Sequence, residues 1–118
     1  MKYILDTDIC VYWLKKDDRI EQNAVSVGLE NIAISFMTLS ELYYGAQKSQ
    51  RVDENLSAIS LLTAKISVVE SNDQICASFG KLKATLEKYG MIIDDADLFI
   101  AACALSTEAT LVTNNTKH

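Results

Sequence analysis

Carboxylates at three places in this 118-residue chain stand where chemistry could be done. Asp6 closes a short apolar run, Lys2-Tyr3-Ile4-Leu5-Asp6-Thr7-Asp8. An unpaired charge at the edge of a core is costly, so packing alone does not put a carboxylate there. Glu41 lies in Thr38-Leu39-Ser40-Glu41-Leu42-Tyr43-Tyr44-Gly45-Ala46. Its spacing from Thr38 is that of a capping box, and spacing by itself favours that structural role. Asp94, Asp95 and Asp97 precede the apolar stretch Leu98-Phe99-Ile100-Ala101-Ala102. Acids suit the first turn of a helix, but three in four residues exceed that need. Thr113-Asn114-Asn115-Thr116 follows a further apolar run and also suits a plain turn.

The elements that must position these groups alternate along the chain. Residues 2–6 read as a strand, and Asp8 is expected to cap a helix running through Leu14. Residues 20–29 read as a helix, Ile32–Ser35 as a strand, and Leu39–Lys48 and 53–64 as helices. Ile66–Val69 is a β-branched strand. Ser71–Tyr89 is a long helix with Ile75, Phe79, Leu82 and Leu86 on one face, ended by Gly90. Ala96–Leu105 is an apolar helix and Thr110–Thr113 a last strand. Strands alternating with helices imply a parallel sheet with helices packed on it. In such a sheet ligands gather at the carboxyl ends of the strands, and every candidate residue lies at a strand end or at the start of the next helix. Converging carboxylates repel unless a cation joins them. Hard oxygen donors without a nearby His or Cys favour Mg²⁺ or Mn²⁺ over zinc.

Composition narrows the field. The chain is long enough for one domain with one sizeable core, and 49% of its residues are hydrophobic. There is no run long enough to span a bilayer and no signal-peptide pattern at residue 1. Cys10, Cys76 and Cys103 match neither zinc nor disulfide spacing and read as buried, reduced thiols of a cytoplasmic protein. A net charge of −5 argues against nucleic-acid binding by bulk electrostatics. It leaves room for a nuclease, because bound divalent cations reverse the local sign. Trp13 is expected to pack in the core or at a helix interface, and core packing is also expected of Tyr43 and Tyr44. The apolar residues of Ile9–Leu14 and Leu56–Leu62 exceed what one small core needs, so a symmetric dimer or a partner groove is expected there.

Asp6-Thr7-Asp8-Ile9, Ser40-Glu41-Leu42-Tyr43-Tyr44-Gly45, Asp97-Leu98-Phe99-Ile100-Ala101-Ala102 and Leu111-Val112-Thr113-Asn114-Asn115 together resemble the ordered motifs of PIN-domain ribonucleases. Within that family the sequence is most similar to the VapC-type toxins of prokaryotic toxin–antitoxin pairs. The resemblance runs from residue 1 to the end. It implies a PIN-like α/β/α sandwich with a central, mainly parallel sheet. It also implies a cytoplasmic, Mg²⁺-dependent endoribonuclease, with Mn²⁺ as substitute, acting on tRNA or another structured RNA and neutralised by a cognate antitoxin. Asp6 and Asp97 carry over as metal-coordinating acids, and Glu41 as the third site acid, reaching the metal through a water. Thr7 and Thr113 carry over as supporting hydroxyls. The fourth acid of the family is usually an Asp, and Asn115 stands at that position. Asn brings no charge, so one well-bound metal is expected and a second is held more weakly. The family usually continues past the position of His118, so a short C-terminal segment is expected to be missing from the single domain 1–118.

Two other readings fit parts of the chain. Asp6-Thr7-Asp8 after an apolar strand, with Asp94-Asp95 later, resembles a haloacid-dehalogenase phosphatase with Asp6 as nucleophile. That reading leaves Ser40–Ala46 and Asp97–Ala102 unexplained. The second is an inactive PIN-like binding module in which Asn115 marks lost catalysis.

Overall fold

A computed structural model describes residues 2–113. Asn115 and His118 lie outside the described residues. Four strands, β1 (Tyr3–Leu5), β2 (Ile32–Ser35), β3 (Ser67–Val69) and β4 (Thr110–Val112), form one sheet in the order β3-β2-β1-β4. All three pairings are parallel, with Leu5 beside Ile34 and Val112, and Ser35 beside Val69. The helices are α1 (Thr7–Leu14), α2 (Asp18–Val27), α3 (Phe36–Gln47), α4 (Val52–Lys65), α5 (Asp73–Lys88) and α6 (Asp95–Ser106). Among the described residues no helix is long and apolar enough to cross a membrane.

The period-two alternation of the central strands divides the core into two layers. Leu5, Ile32 and Ile34 face Cys10, Trp13, Leu42, Ile59 and Leu62 from α1, α3 and α4. Ile4 and Ala33 face Ile75, Ile100, Ala102 and Cys103 from α5 and α6. This is the three-layer α/β/α sandwich that the family resemblance implies, built on the parallel sheet expected from the alternating elements. β2 is buried along its whole length, as a central parallel strand covered on both faces must be. Phe99 of α6 stacks on Phe79 of α5, with ring centroids 3.9 Å apart, and meets the ring of Phe36 edge-on at 5.9 Å. These aromatic contacts pin the start of α6 against the start of α3. Gly90 ends α5 as expected: at φ +73 it lets Met91 N–H reach Leu86 C=O at 2.9 Å, while its own N–H reaches Glu87 C=O at 3.0 Å.

Several local expectations give way to the tertiary structure. Asp6, not Asp8, caps α1: its carboxylate accepts from Ile9 N–H at 3.1 Å. The helix begins two residues earlier than expected because β1 ends at Leu5 and the chain turns at once. Likewise α3 starts at Phe36 rather than Leu39, and its cap is Ser35, whose Oγ accepts from Thr38 N–H at 3.1 Å. The Thr38–Glu41 capping box is therefore not formed, and Glu41 is released for another partner. Cys10 and Cys103 are buried, but Cys76 is exposed; Ile75 takes the core face of α5 and the next position rotates outward. Burial pushes the Cys10 thiol up to about 12, with the Asp6 charge adding to it, so this thiol stays protonated. Tyr43 and Tyr44 are exposed, since Leu42 and Ala46 claim the buried stripe of α3. Trp13 is buried as expected, and its indole N–H donates to Glu21 at 3.4 Å. The apolar surplus of α1 and α4 is mostly absorbed by the core, leaving Tyr12 and Leu61 exposed.

Candidate active site

The carboxyl ends of β1, β2 and β4 are followed by Asp6, Phe36 and Thr113, at one edge of the sheet. Asp6 is held from both directions. Its backbone N–H donates to Val112 C=O at 3.0 Å, fastening it to β4. Its carboxylate meanwhile caps α1 through Ile9 N–H. Burial raises its pKa above the usual carboxylate range against the lowering pull of the Ile9 N–H, and the charges of Asp8 and Asp97 raise it further.

Asp97 stands in the first turn of α6, between the buried Leu98 and the half-buried Ala96. Although the residue is exposed, partial loss of water around its carboxyl is the first cause of its raised pKa. The charges of Asp94 and Asp8 follow. Asp6, near the start of the chain, thus feels the charge of Asp97, near its end, across the sheet edge. Asp8, displaced from its expected capping role, adds to the negative field on Asp6 and on Asp97.

Glu41 is half-buried on α3 and accepts a hydrogen bond from Thr7 Oγ1 at 2.5 Å. Behind it lie Thr38 and Ser35, both fully buried, with Thr7 Oγ1 3.2 Å from Thr38 Oγ1 and Ser35 Oγ 3.4 Å from Thr38 Oγ1. Sequence reasoning gave Thr38 a capping role and Ser35 a strand position, and missed their place behind Glu41. Their signal is Ser35 three residues before Thr38, directly after an apolar strand, which is a helix-start pattern. Thr113 lies just past β4 and is exposed. Among the described residues no three acids, cysteines or histidines stand close enough together to form a ready-made cation site. The structure brings Asp6 and Asp97 into one field and gives Glu41 to Thr7. The donor chemistry still fits a hard cation, because the acids of this edge have oxygen donors only and two of them are held reluctant to ionise, first by burial and then by neighbouring acids.

Three basic side chains have partners on the surface. Lys83 pairs with Asp95 at 2.9 Å and Arg51 with Glu54 at 3.5 Å. Lys48 sits 4.8 Å from the centre of the Tyr44 ring.

The model of the PIN domain matches residues 3–118. The chain belongs to the PIN-domain family. It is 43% identical over 120 residues to ribonuclease VapC1 of Haemophilus influenzae (strain R2866), spanning 100% of this chain and 90% of the relative. It is 32% identical over 118 residues to the tRNA(fMet)-specific endonuclease VapC of Shigella flexneri, spanning 100% of this chain and 89% of the relative. Among solved structures it matches VapBC2 of Rickettsia felis, bound to a DNA fragment of its promoter. There the TM-score is 0.92 and the identity 38%, over 99% of this chain and 90% of that one. Within the PIN family the chain therefore groups with the VapC proteins. The haloacid-dehalogenase reading gains no support: the whole described fold is that of the PIN family.

Proposed function

We propose that this PIN-domain chain is an endoribonuclease toxin that hydrolyses phosphodiester bonds in RNA and is restrained by a cognate antitoxin. The observation that supports the reading is Asp6 and Asp97 at the carboxyl edge of the sheet, each carboxyl raised first by burial and then by neighbouring acids, with Asp97 among those acting on Asp6. Asp6 and Asp97 would hold a divalent cation, Mg²⁺ with Mn²⁺ as substitute, which would supply Lewis acidity to a phosphate oxygen and to a water. Glu41 orients the attacking water and accepts its proton. Attack in line leaves a 5′-phosphate and a 3′-hydroxyl. Thr113 supports the site from just past β4, and Asn115 replaces a charge with an amide, which favours one tightly held cation over two. The name of the Shigella relative supports a tRNA substrate, cut in a single-stranded loop where nucleotides are unstacked. Relatives solved as VapBC pairs support the antitoxin. The exposed Tyr12 and Leu61 are the remnant of the surplus that suggests a homodimer. Light scattering on the isolated chain tests that, and a clean monomer overturns it.

The deciding experiment is cleavage of a tRNA(fMet) transcript by wild type, Asp6→Asn and Asp97→Asn, with Mg²⁺ and with EDTA. Wild type with Mg²⁺ cuts and both variants lose activity. Equal activity in all three proteins, or full activity in EDTA, overturns the metal-dependent mechanism. No cleavage by wild type together with no Mg²⁺ binding in calorimetry favours the inactive binding module.

A further inference from the structure

Ser35, Thr38, Thr7 and Glu41 form a line of four side chains running from the sealed core to the site edge. A hydroxyl has one proton to give. Thr7 lies 2.5 Å from a Glu41 carboxylate oxygen, which can only accept, so the Thr7 proton is committed there. Across the 3.2 Å contact between Thr7 and Thr38, Thr38 must therefore donate. Thr38, having given its proton, accepts from Ser35 across 3.4 Å. Ser35 Oγ in turn accepts from Thr38 N–H at 3.1 Å, closing the line on the backbone. Each hydroxyl gives once and receives once, and every proton points toward Glu41. Ser35 and Thr38 are both 0% exposed, so water cannot substitute for a missing link. Among the described residues no buried side-chain nitrogen or oxygen lacks a partner. Hydrogen bonds aligned in one direction polarise one another and strengthen at low local dielectric.

We infer that Ser35, Thr38 and Thr7 are positioning residues: a one-way hydroxyl relay that locks the Glu41 side chain in a single orientation at the site edge. This rests on the reading of Glu41 as a site acid. The line is anchored at both ends by elements the fold cannot easily move. Ser35 is the last residue of the fully buried β2 and is paired beside Val69. Thr7 is the first residue of α1, directly after Asp6. The relay therefore ties the orientation of Glu41 to the same β1–α1 corner that carries Asp6. It spans 34 residues of sequence between Thr7 and Glu41.

The test compares Thr38→Val with Thr38→Ser. Valine keeps the shape and deletes the link; serine keeps the link. In cleavage of a tRNA(fMet) transcript, Thr38→Val is expected to lower kcat about tenfold with KM unchanged, and Thr38→Ser to restore it. In protein free of RNA and metal, the carboxyl carbon of Glu41, followed by ¹³C NMR, is expected to give one sharp signal in wild type and Thr38→Ser. It should be shifted or broadened in Thr38→Val. A Thr38→Val protein with wild-type kcat or an unmoved Glu41 signal overturns the relay, as does a Thr38→Ser protein as impaired as Thr38→Val. Should Thr38→Val not fold, Thr7→Val and Thr7→Ser repeat the comparison at the half-buried end. Glu41→Gln separates the two levels. If it cleaves like wild type, the reading of Glu41 as a site acid fails; if it is inactive while Thr38→Val is fully active, the relay alone fails.

Discussion

The two corners of the site edge treat their carboxylates in opposite ways. At the Asp6–Asp97 corner, negative charges crowd one another: Asp6 feels Asp8 and Asp97, and Asp97 feels Asp94 and Asp8. Among the described residues the Asp6 carboxylate is held only from its own helix start, where Ile9 N–H donates to it at 3.1 Å. At the Glu41 corner the carboxylate has a dedicated donor, backed by two buried hydroxyls. The first arrangement stores a demand for positive charge; the second spends buried polar groups on direction. A fold built only for stability would have exchanged them, bonding the crowded acids and leaving the buried positions apolar. On the function proposed above, the difference separates a corner that binds a cation from a side chain that must point.

The largest expected effect breaks the first corner. Asp97→Asn and Asp6→Asn each remove a charge without changing shape, and RNA cleavage should fall at least about a hundredfold in each, a loss of about 2.7 kcal/mol or more of transition-state stabilisation. Gel assays under single-turnover conditions check this.

Next in size are the stabilities of the two corners, which should move with opposite signs. Thr38→Val strands the Ser35 hydroxyl in the core and should destabilise by about 1–3 kcal/mol in urea unfolding. Asp97→Asn should leave metal-free stability equal or higher at neutral pH, because it removes a repelled charge. The pH dependence carries the same sign. Asp6 and Asp97 are raised above 3.8 in the folded chain. Just above that value the folded chain holds protons that the unfolded chain has released. Their contribution to stability is thus present below 3.8 and is lost as pH rises through their folded pKa values. Asp17 and Glu21 work the other way. Arg19 holds Asp17 low, and Lys65 with Trp13 holds Glu21 low, so their contribution is lost as pH falls. The difference between wild-type and Asp97→Asn melting curves from pH 4 to pH 7 isolates the first effect, and a gap that closes with rising pH would contradict it.

A smaller effect separates the two duties of Asp6. Both Asp6→Asn and Asp6→Ala should abolish cleavage, but Asn still caps a helix and Ala does not. Only Asp6→Ala should lose about 1 kcal/mol of stability, a melting shift of several degrees by calorimetry. Smallest is the exposed Lys83–Asp95 pair beside the acidic corner. Lys83→Ala should barely shift the melting temperature, because an exposed pair is screened by solvent, and should leave cleavage unchanged; a large loss of cleavage would mean that Lys83 reaches the RNA.

Much of this was legible in local sequence, for reasons that are themselves local. Ile4-Leu5 followed by Asp6 marks a strand end because burial and charge change within one residue. Ile75, Phe79 and Leu82 mark a helix face because their spacing follows its period, and Gly90 ends it because only a positive φ allows the closing turn. Capping was less legible. Asp6 and Asp8 are both good caps by type, as are Ser35 and Thr38, and one or two residues of strand pairing chose between them. That choice had consequences for the site: with Ser35 as cap, Glu41 was left free to meet Thr7.

The sequence by itself determined the alternation of strands and helices, the parallel sheet, and which acids would lie at its carboxyl edge. Periodicity, burial preference and turn chemistry act over a few residues, and each element carries its own signal. Only the tertiary structure decided which of those acids share a field, that Asp8 joins Asp6 and Asp97 rather than capping a helix, and that two inconspicuous hydroxyls stand behind Glu41. Those outcomes depend on sheet register and on where α1, α3 and α6 start against one another. Groups 34 residues apart in sequence meet there within a hydrogen bond, and no local pattern records that meeting.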